Sequence, residues 1–276
     1  MKHWLSFILV TFLLAACGGA ATPTAVPTSA ASADLGAIKT YLVDKATTLN
    51  TRATTLEAAS QRYFDLAKAA NFDYAQLWSS QSAEVSQLVL EAQQVWTAAS
   101  PNYEQIEGIV AGVPTLADFD VLLDAGSSGA EGGDNVAPYD LTLADGRTLS
   151  QPGNLFGVTE STLWGTFPDY TIATVAADLN ANGTQEFGEA LPEANVLLAA
   201  SQKLRASTTE LLAAAQAWQP NAADAFTALV TMVPTMSEYF DSWKNSRFVS
   251  GAASTQRDFV AISRLADVQD ILGSLQ

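Results

Sequence analysis

The chain reads as an all-α protein: two packed helical bundles, with a small β-hairpin insertion and a calcium-type loop between the halves. Three observations carry that reading. Leucine and aromatic residues recur every seven positions through long segments, as in Leu35, Leu42, Leu49, Leu56 and Tyr63, and again in Leu197, Leu204, Leu211 and Trp218. Such a period places the apolar side chains on one stripe of a bundle helix. The same segments are rich in Ala, Leu, Gln and Glu, which lose little side-chain freedom in a helix. Glycine, proline and strand-like alternation are concentrated in the middle of the chain, where Asp145-Gly146 supplies a hairpin turn.

The N-terminus is an address. Lys2 precedes an apolar run from Trp4 to Ala16, too short to be a permanent membrane span. The run ends Leu14-Ala15-Ala16-Cys17, followed by Gly18-Gly19, which resembles a bacterial lipobox. Residues 1–16 are therefore expected to be a lipoprotein signal peptide, with Cys17 lipidated as the mature N-terminus. The expected location is the extracytoplasmic side of a membrane (periplasm or cell surface), held there by the N-terminal lipid. Cys17 is the only cysteine, so no intramolecular disulfide can form. Residues 17–33, the lipidated Cys17 followed by an uncharged stretch dominated by Ala, Thr, Pro and Ser with little bulk, read as a tether. Residues 34–276 are the folded domain. Its formal charge, −16 for the chain and one more negative once Lys2 leaves, repels phosphate backbones, so no nucleic-acid partner is expected.

The seven-residue line predicts one helix from Asp34 to about Ala70, broken by Asn71. A second is predicted from about Tyr74 to Ala99, burying Leu77, Trp78, Val85, Leu88, Ala92, Val95 and Trp96. Ser100-Pro101 reads as a boundary, with Pro101 in the first turn of a third helix. In that helix Glu104 and Glu107 are three apart and share a face. Two acids on one face are ordinarily solvated. The Gly-rich stretch Gly126 to Gly133 reads as a mobile loop, and residues 136–153 as a hairpin excursion. Asn154 to Gly165 then reads as a short amphipathic helix ended by Gly165, with Glu160 as a buried functional acid.

The segment Phe156-Gly157-Val158-Thr159-Glu160-Ser161-Thr162-Leu163-Trp164-Gly165 resembles the signature of the imelysin-like family, a GxHxxE motif followed by Leu-Trp-Gly. Asn102-Tyr103-Glu104-Gln105-Ile106-Glu107 is similar to that family's Tyr-Glu-x-Ile-Glu segment, and Tyr239-Phe240 through Leu272-Gly273 has its rhythm of two closing helices. The likeness covers most of Asp34 to Gln276. It implies kinship with the EfeO/EfeM-type iron-uptake proteins, and so metal binding and a metal-uptake permease as partner. The motif is degenerate: Gly157 stands where the family has His, and Leu155 where it has the first Gly. The one histidine, His3, lies in the leader, which excludes an imidazole-dependent zinc or peptidase site. Two readings stay open. Glu160 with Glu104, helped by Glu107, binds iron or another divalent cation through oxygens alone; or Glu160 is a hydrogen-bonded structural acid.

Asp178 to Glu189 places oxygen-bearing side chains at Asp178, Asn180, Asn182, Glu186 and Glu189, positions 1, 3, 5, 9 and 12 of a loop with Gly183 at position 6. Thr184 offers its carbonyl at position 7. This is the spacing of an EF-hand-type Ca²⁺ loop, departing at Gln185, where an aliphatic residue is usual. A structural ion is expected there. Pro192 opens a helix from Glu193 to Trp218. Another is predicted from Ala222 to Phe248, kinked at Pro234. A last helix, capped by Ser254 or Thr255, turns Phe259, Ile262, Leu265, Ala266, Val268, Ile271 and Leu272 inward.

No Ser/His/Asp or Cys/His set can be assembled without a mature His or a second Cys, and no phosphate-cradling Gly loop is present, so no enzyme is expected. Two functions compete: a membrane-anchored, cation-binding lipoprotein of iron or other metal uptake, and a non-catalytic cell-surface interaction module with one structural calcium and a decayed metal site.

Overall fold

The computed structural model describes residues 35–231, residue 244 and residues 261–274. The leader, Cys17, the tether, the Pro234 kink and the cap at Ser254 or Thr255 lie outside the described residues. Helix α1 runs Gly36–Ala69 and α2 Tyr74–Glu104. Short helices α3 (Glu107–Gly112) and α4 (Ala117–Asp120) follow, and α4 leads into a π-helical turn, Val121–Ala125. Strands β1 (Asp140–Thr142) and β2 (Thr148–Ser150) form the hairpin, with Leu141 opposite Leu149. Helix α5 (Leu155–Trp164) is succeeded by the two-residue strands β3 (Thr171–Ile172) and β4 (Leu191–Pro192), which pair across the calcium-type loop. Helix α6 (Ala194–Ala217), a helical stretch α7 at 222–231 and α8 (Ala261–Ser274) complete the described chain. The fold class is the expected one: helices with small β insertions.

Helix α1 is common to both halves, packing on α2 and on α6. Its buried line alternates large and small, Leu42, Ala46, Leu49, Ala53, Leu56, Ala59 and Tyr63, all within 1 % of full burial. Alanines between leucines let neighbouring helices interdigitate closely. Leu197 is 1 % exposed and Leu204 and Leu211 are fully buried, on the facing stripe of α6. Polar ties at the rim fix the alignment. Asn50 Oδ1 accepts from the hydroxyls of Thr208 at 3.1 Å and Thr209 at 2.9 Å, and Arg205 pairs with Glu57. Between α1 and α2, Arg62 Nη2 meets Glu91 at 2.7 Å.

The break at Asn71 is real. Asn71 and Phe72 adopt left-handed φ of 52° and 58°, and Asp73 caps α2 by accepting from Gln76 N at 3.0 Å. A left-handed Phe is strained; here its ring leans on Phe64 at 5.7 Å. The boundary expected at Ser100-Pro101 is not found. Helix α2 continues through Pro101 to Glu104, because Ala99 and Tyr103 are buried on either side of the proline and packing outweighs the lost donor. The irregularity in α2 lies instead at Gln81, with φ −140° and ψ 29°.

Helix α5 also departs from expectation. It is not amphipathic: all ten of its residues are buried, since it inserts between α2, α6 and the π turn. Two of its polar residues are accommodated by back-bonding, Ser161 Oγ to Gly157 O at 2.6 Å and Thr162 Oγ1 to Val158 O at 2.6 Å, whereas the buried Thr159 hydroxyl makes no such bond. It does end at Gly165, in the left-handed region at φ 66°. The Gly-rich segment is a hydrogen-bonded loop, with Ser127 N donating to Asn135 O, Ala137 N to Ser127 O and Glu131 Oε2 accepting from Ser128 N. Helix α6 begins one residue later than expected, because Pro192 belongs to β4 and Glu193 is its N-cap, accepting from Val196 N at 3.0 Å.

A candidate cation centre

Helix α2 ends in Tyr103 and Glu104, both turned into the protein at 0 % and 1 % exposure. A tight turn follows, with Ile106 N donating to Tyr103 O at 2.8 Å. Glu107 then begins α3, 3 % exposed. The two acids therefore do not share a solvated face of one helix, as their spacing suggests. They flank a turn between two helices, and both enter the interior. Asp124 reaches the same place from the π turn, at 7 % exposure. Carboxylate oxygens of Glu104, Glu107 and Asp124 all lie within 4.8 Å of one another.

The local folding explains the convergence. The π turn carries an extra residue per turn, which rotates Leu123 and Asp124 inward together. Its end is pinned at Gly126, whose carbonyl accepts both Asn154 N and Asn154 Nδ2 at 3.0 Å. Asn154 is also the N-cap of α5, its Oδ1 accepting from Gly157 N at 2.7 Å. The π turn and α5 are thus one assembly. Against it lies an aromatic wall: Phe156 of α5 meets Trp96 edge-on at 4.7 Å and Tyr103 at 5.2 Å.

Glu160, expected to join Glu104, is buried on α5 at 6 % exposure but is not one of the three converging residues. Asp124 is the acid that sequence reasoning missed. The signal available was the pair Asp120 and Asp124, four apart beside Leu122-Leu123. Gly157, in the place of the family's histidine, is buried and its carbonyl serves Ser161.

Tyr103 reports the field of the centre. Its hydroxyl donates to Asp120 Oδ1 at 2.7 Å. Burial raises its pKa well above the ordinary tyrosine value, and the negative charges of Asp120, Glu107 and Asp124 raise it further. Tyr63 and Tyr74 are raised too. Burial is the main cause for both, with Glu193 adding to each. Tyr63 donates to Pro192 O at 2.8 Å, and Tyr74 Oη accepts from Ala194 N at 2.9 Å. A folded pKa above the unfolded one, near 10, means that the stability these groups confer is whole below pH ~10 and falls as pH climbs towards the folded values. Each buried tyrosine adds a slope of about 1.4 kcal/mol per pH unit, about 4 for the three together. Alkaline titration is expected to show tyrosinate absorbance for this trio appearing only together with loss of helical circular dichroism. Ionisation of all tyrosines near pH ~10 with the helices intact would refute this.

The calcium-type loop is wrapped around its own carboxylates. Asp178 accepts from Asn182 N at 3.0 Å and Gly183 N at 2.7 Å, and Asn182 Oδ1 accepts from Thr184 N at 2.9 Å. Glu189, 5 % exposed, accepts from Asn180 N at 3.2 Å and Glu186 N at 2.7 Å. Asn180 Nδ2 lies 3.4 Å from Glu186 Oε2. Gly183, with φ 92°, makes the turn that position 6 requires.

No helix among the described residues is long and apolar enough to cross a membrane. Comparison with curated proteins and with solved structures returned no match. The family model described as Imelysin, in the Peptidase M75 class, matches residues 37–276. That span takes in all but the first residue of α1 and everything through α8, including the three converging carboxylates and the calcium-type loop, and the chain belongs to the imelysin family.

Proposed function

We propose that this protein is a non-catalytic, membrane-tethered lipoprotein that binds a hard divalent or trivalent cation extracytoplasmically, on the path of iron or other metal uptake. The observation that carries the reading is the convergence of Glu104, Glu107 and Asp124 within 4.8 Å of one another in the interior. Three buried carboxylates this close repel each other, and a bound cation would offset that repulsion. An all-oxygen set of this kind suits iron, manganese, magnesium or calcium rather than a thiophilic metal. Glu104, Glu107 and Asp124 would hold the ion, and Glu160 on the adjoining α5 stays a candidate fourth ligand. An ion bound by carboxylates and passed on is cargo, for a permease to accept. The leader ending in Cys17 supports the lipid anchor, and the absence of any histidine or second cysteine after it supports a binding role over a hydrolytic one.

In the same reading, the loop from Asp178 to Glu189 holds a structural Ca²⁺ through Asp178, Asn180, Asn182, the Thr184 carbonyl, Glu186 and Glu189. Its support is the twelve-residue oxygen spacing. Calorimetric titration tests both sites. Fe²⁺ or Mn²⁺ is expected to bind wild type, and Glu107→Gln to weaken binding by about tenfold or more, about 1.4 kcal/mol. Asp178→Asn should leave that site alone and abolish the heat of Ca²⁺ binding. Equal Fe²⁺ and Mn²⁺ isotherms for wild type and Glu107→Gln would remove the centre. Calcium heat that survives Asp178→Asn would remove the loop.

A further inference from the structure

The closing end of the calcium-type loop is keyed into the end of α5 by three contacts. Gln93, on α2, donates from Nε2 to Leu163 O at 2.9 Å and to Gly188 O at 2.7 Å. Leu163 O is among the last four carbonyls of α5, which have no partner within the helix. Gly188 lies so close to the indole of Trp164 that a Cβ there would sit 2.8 Å from Trp164 Cδ1. A Cβ on Gly165, the left-handed residue that ends α5, would sit 2.5 Å from Ala190 Cβ. Residues 188–190 therefore close the loop, through Glu189, and at the same time seat α5.

We infer that Gln93 is a positioning residue that couples the ion state of the 178–189 loop to α5, so that calcium in the loop tightens the C-terminal turn of the helix carrying Glu160. This rests on the reading of the loop as a calcium site. The physical basis is that a bound ion fixes Glu189 and hence Gly188, while one rigid amide ties Gly188 O to Leu163 O. Glu160 lies one turn before Leu163, so its backbone is held by the same turn. Linkage makes the effect reciprocal: anything that orders the end of α5 strengthens calcium binding by the same factor.

Hydrogen exchange on the full chain, in CaCl₂ and in EGTA, reads the coupling at the amides of Gly165 and Thr166, which both donate to Ser161 O. Calcium is expected to slow their exchange about tenfold in wild type. Gln93→Met, which keeps the length but lacks the donor, is expected to lose that slowing while keeping the calorimetric heat of Ca²⁺. Gln93→Glu is the second variant, should the first fold poorly. The calcium response of Trp164 fluorescence, taken as wild type minus Trp164→Phe, is expected to vanish in both. No calcium heat in wild type overturns the loop reading, and the coupling with it. Calcium heat with unslowed α5 amides, or slowing undiminished in the Gln93 variants, overturns the coupling alone.

Discussion

Glu107→Gln is expected to raise the melting temperature of the metal-free protein while shrinking the further rise that metal gives. Glu107 is 3 % exposed and its carboxylate shares a 4.8 Å neighbourhood with those of Glu104 and Asp124. Neutralising one of three buried like charges relieves repulsion and desolvation, worth about 1–3 kcal/mol by analogy with buried ionic groups replaced by neutral ones. For a domain of this size that corresponds to an increase of about 2–12 °C. In wild type, cation at a hundred times its dissociation constant adds about 2.7 kcal/mol. The variant, binding at least tenfold more weakly, gains correspondingly less. Differential scanning calorimetry with and without Mn²⁺ measures both the metal-free rise and the smaller metal increment. A metal-free Glu107→Gln protein that melts lower than wild type would mean that the contacts of the charged acid outweigh the repulsion among the three carboxylates, and the cation centre would lose its physical footing.

Phe156→Ala is expected to be the most destabilising single substitution in α5, at about 3–5 kcal/mol by loss of apolar burial and opening of a cavity. Phe156 is 3 % exposed and edges onto both Trp96 and Tyr103, contacts worth about 0.5–1.5 kcal/mol each beyond their area. Phe156→Leu should cost markedly less, since it retains most of the volume. Urea unfolding should show a lower midpoint with an unchanged slope. A Phe156→Ala midpoint within error of wild type would show that α5 is not anchored through this ring. The two substitutions also separate stability from binding. Phe156→Ala is expected to weaken the fold and loosen the wall behind Tyr103, whereas Glu107→Gln is expected to weaken the proposed hold on the ion without weakening the fold.

Much of this was readable along the chain. The seven-residue lines in α1 and α6, the break at Asn71, the hairpin turning at Asp145-Gly146 and the end of α5 at Gly165 are local properties. Periodicity, left-handed tolerance and turn chemistry are written in a few adjacent residues. The chain also named Glu104 and Glu107 as a pair. It misled where burial overrode local preference. Pro101 reads as a start yet is carried inside α2 by buried neighbours, and α5 reads as one-sided yet is enclosed on every face. Whether Glu104 and Glu107 face water depends on the turn at Gln105-Ile106, not on their spacing. Asp124 became visible only because a π turn rotates it inward and Asn154 pins that turn to α5. Sequence by itself determined the helical class, and it leaves no histidine beyond His3 for a site in the folded domain, because each follows from residue types and short-range order. The tertiary structure alone decided which acids meet, because a cluster drawn from α2, α3 and the π turn is fixed by packing between segments that no single stretch of chain contains.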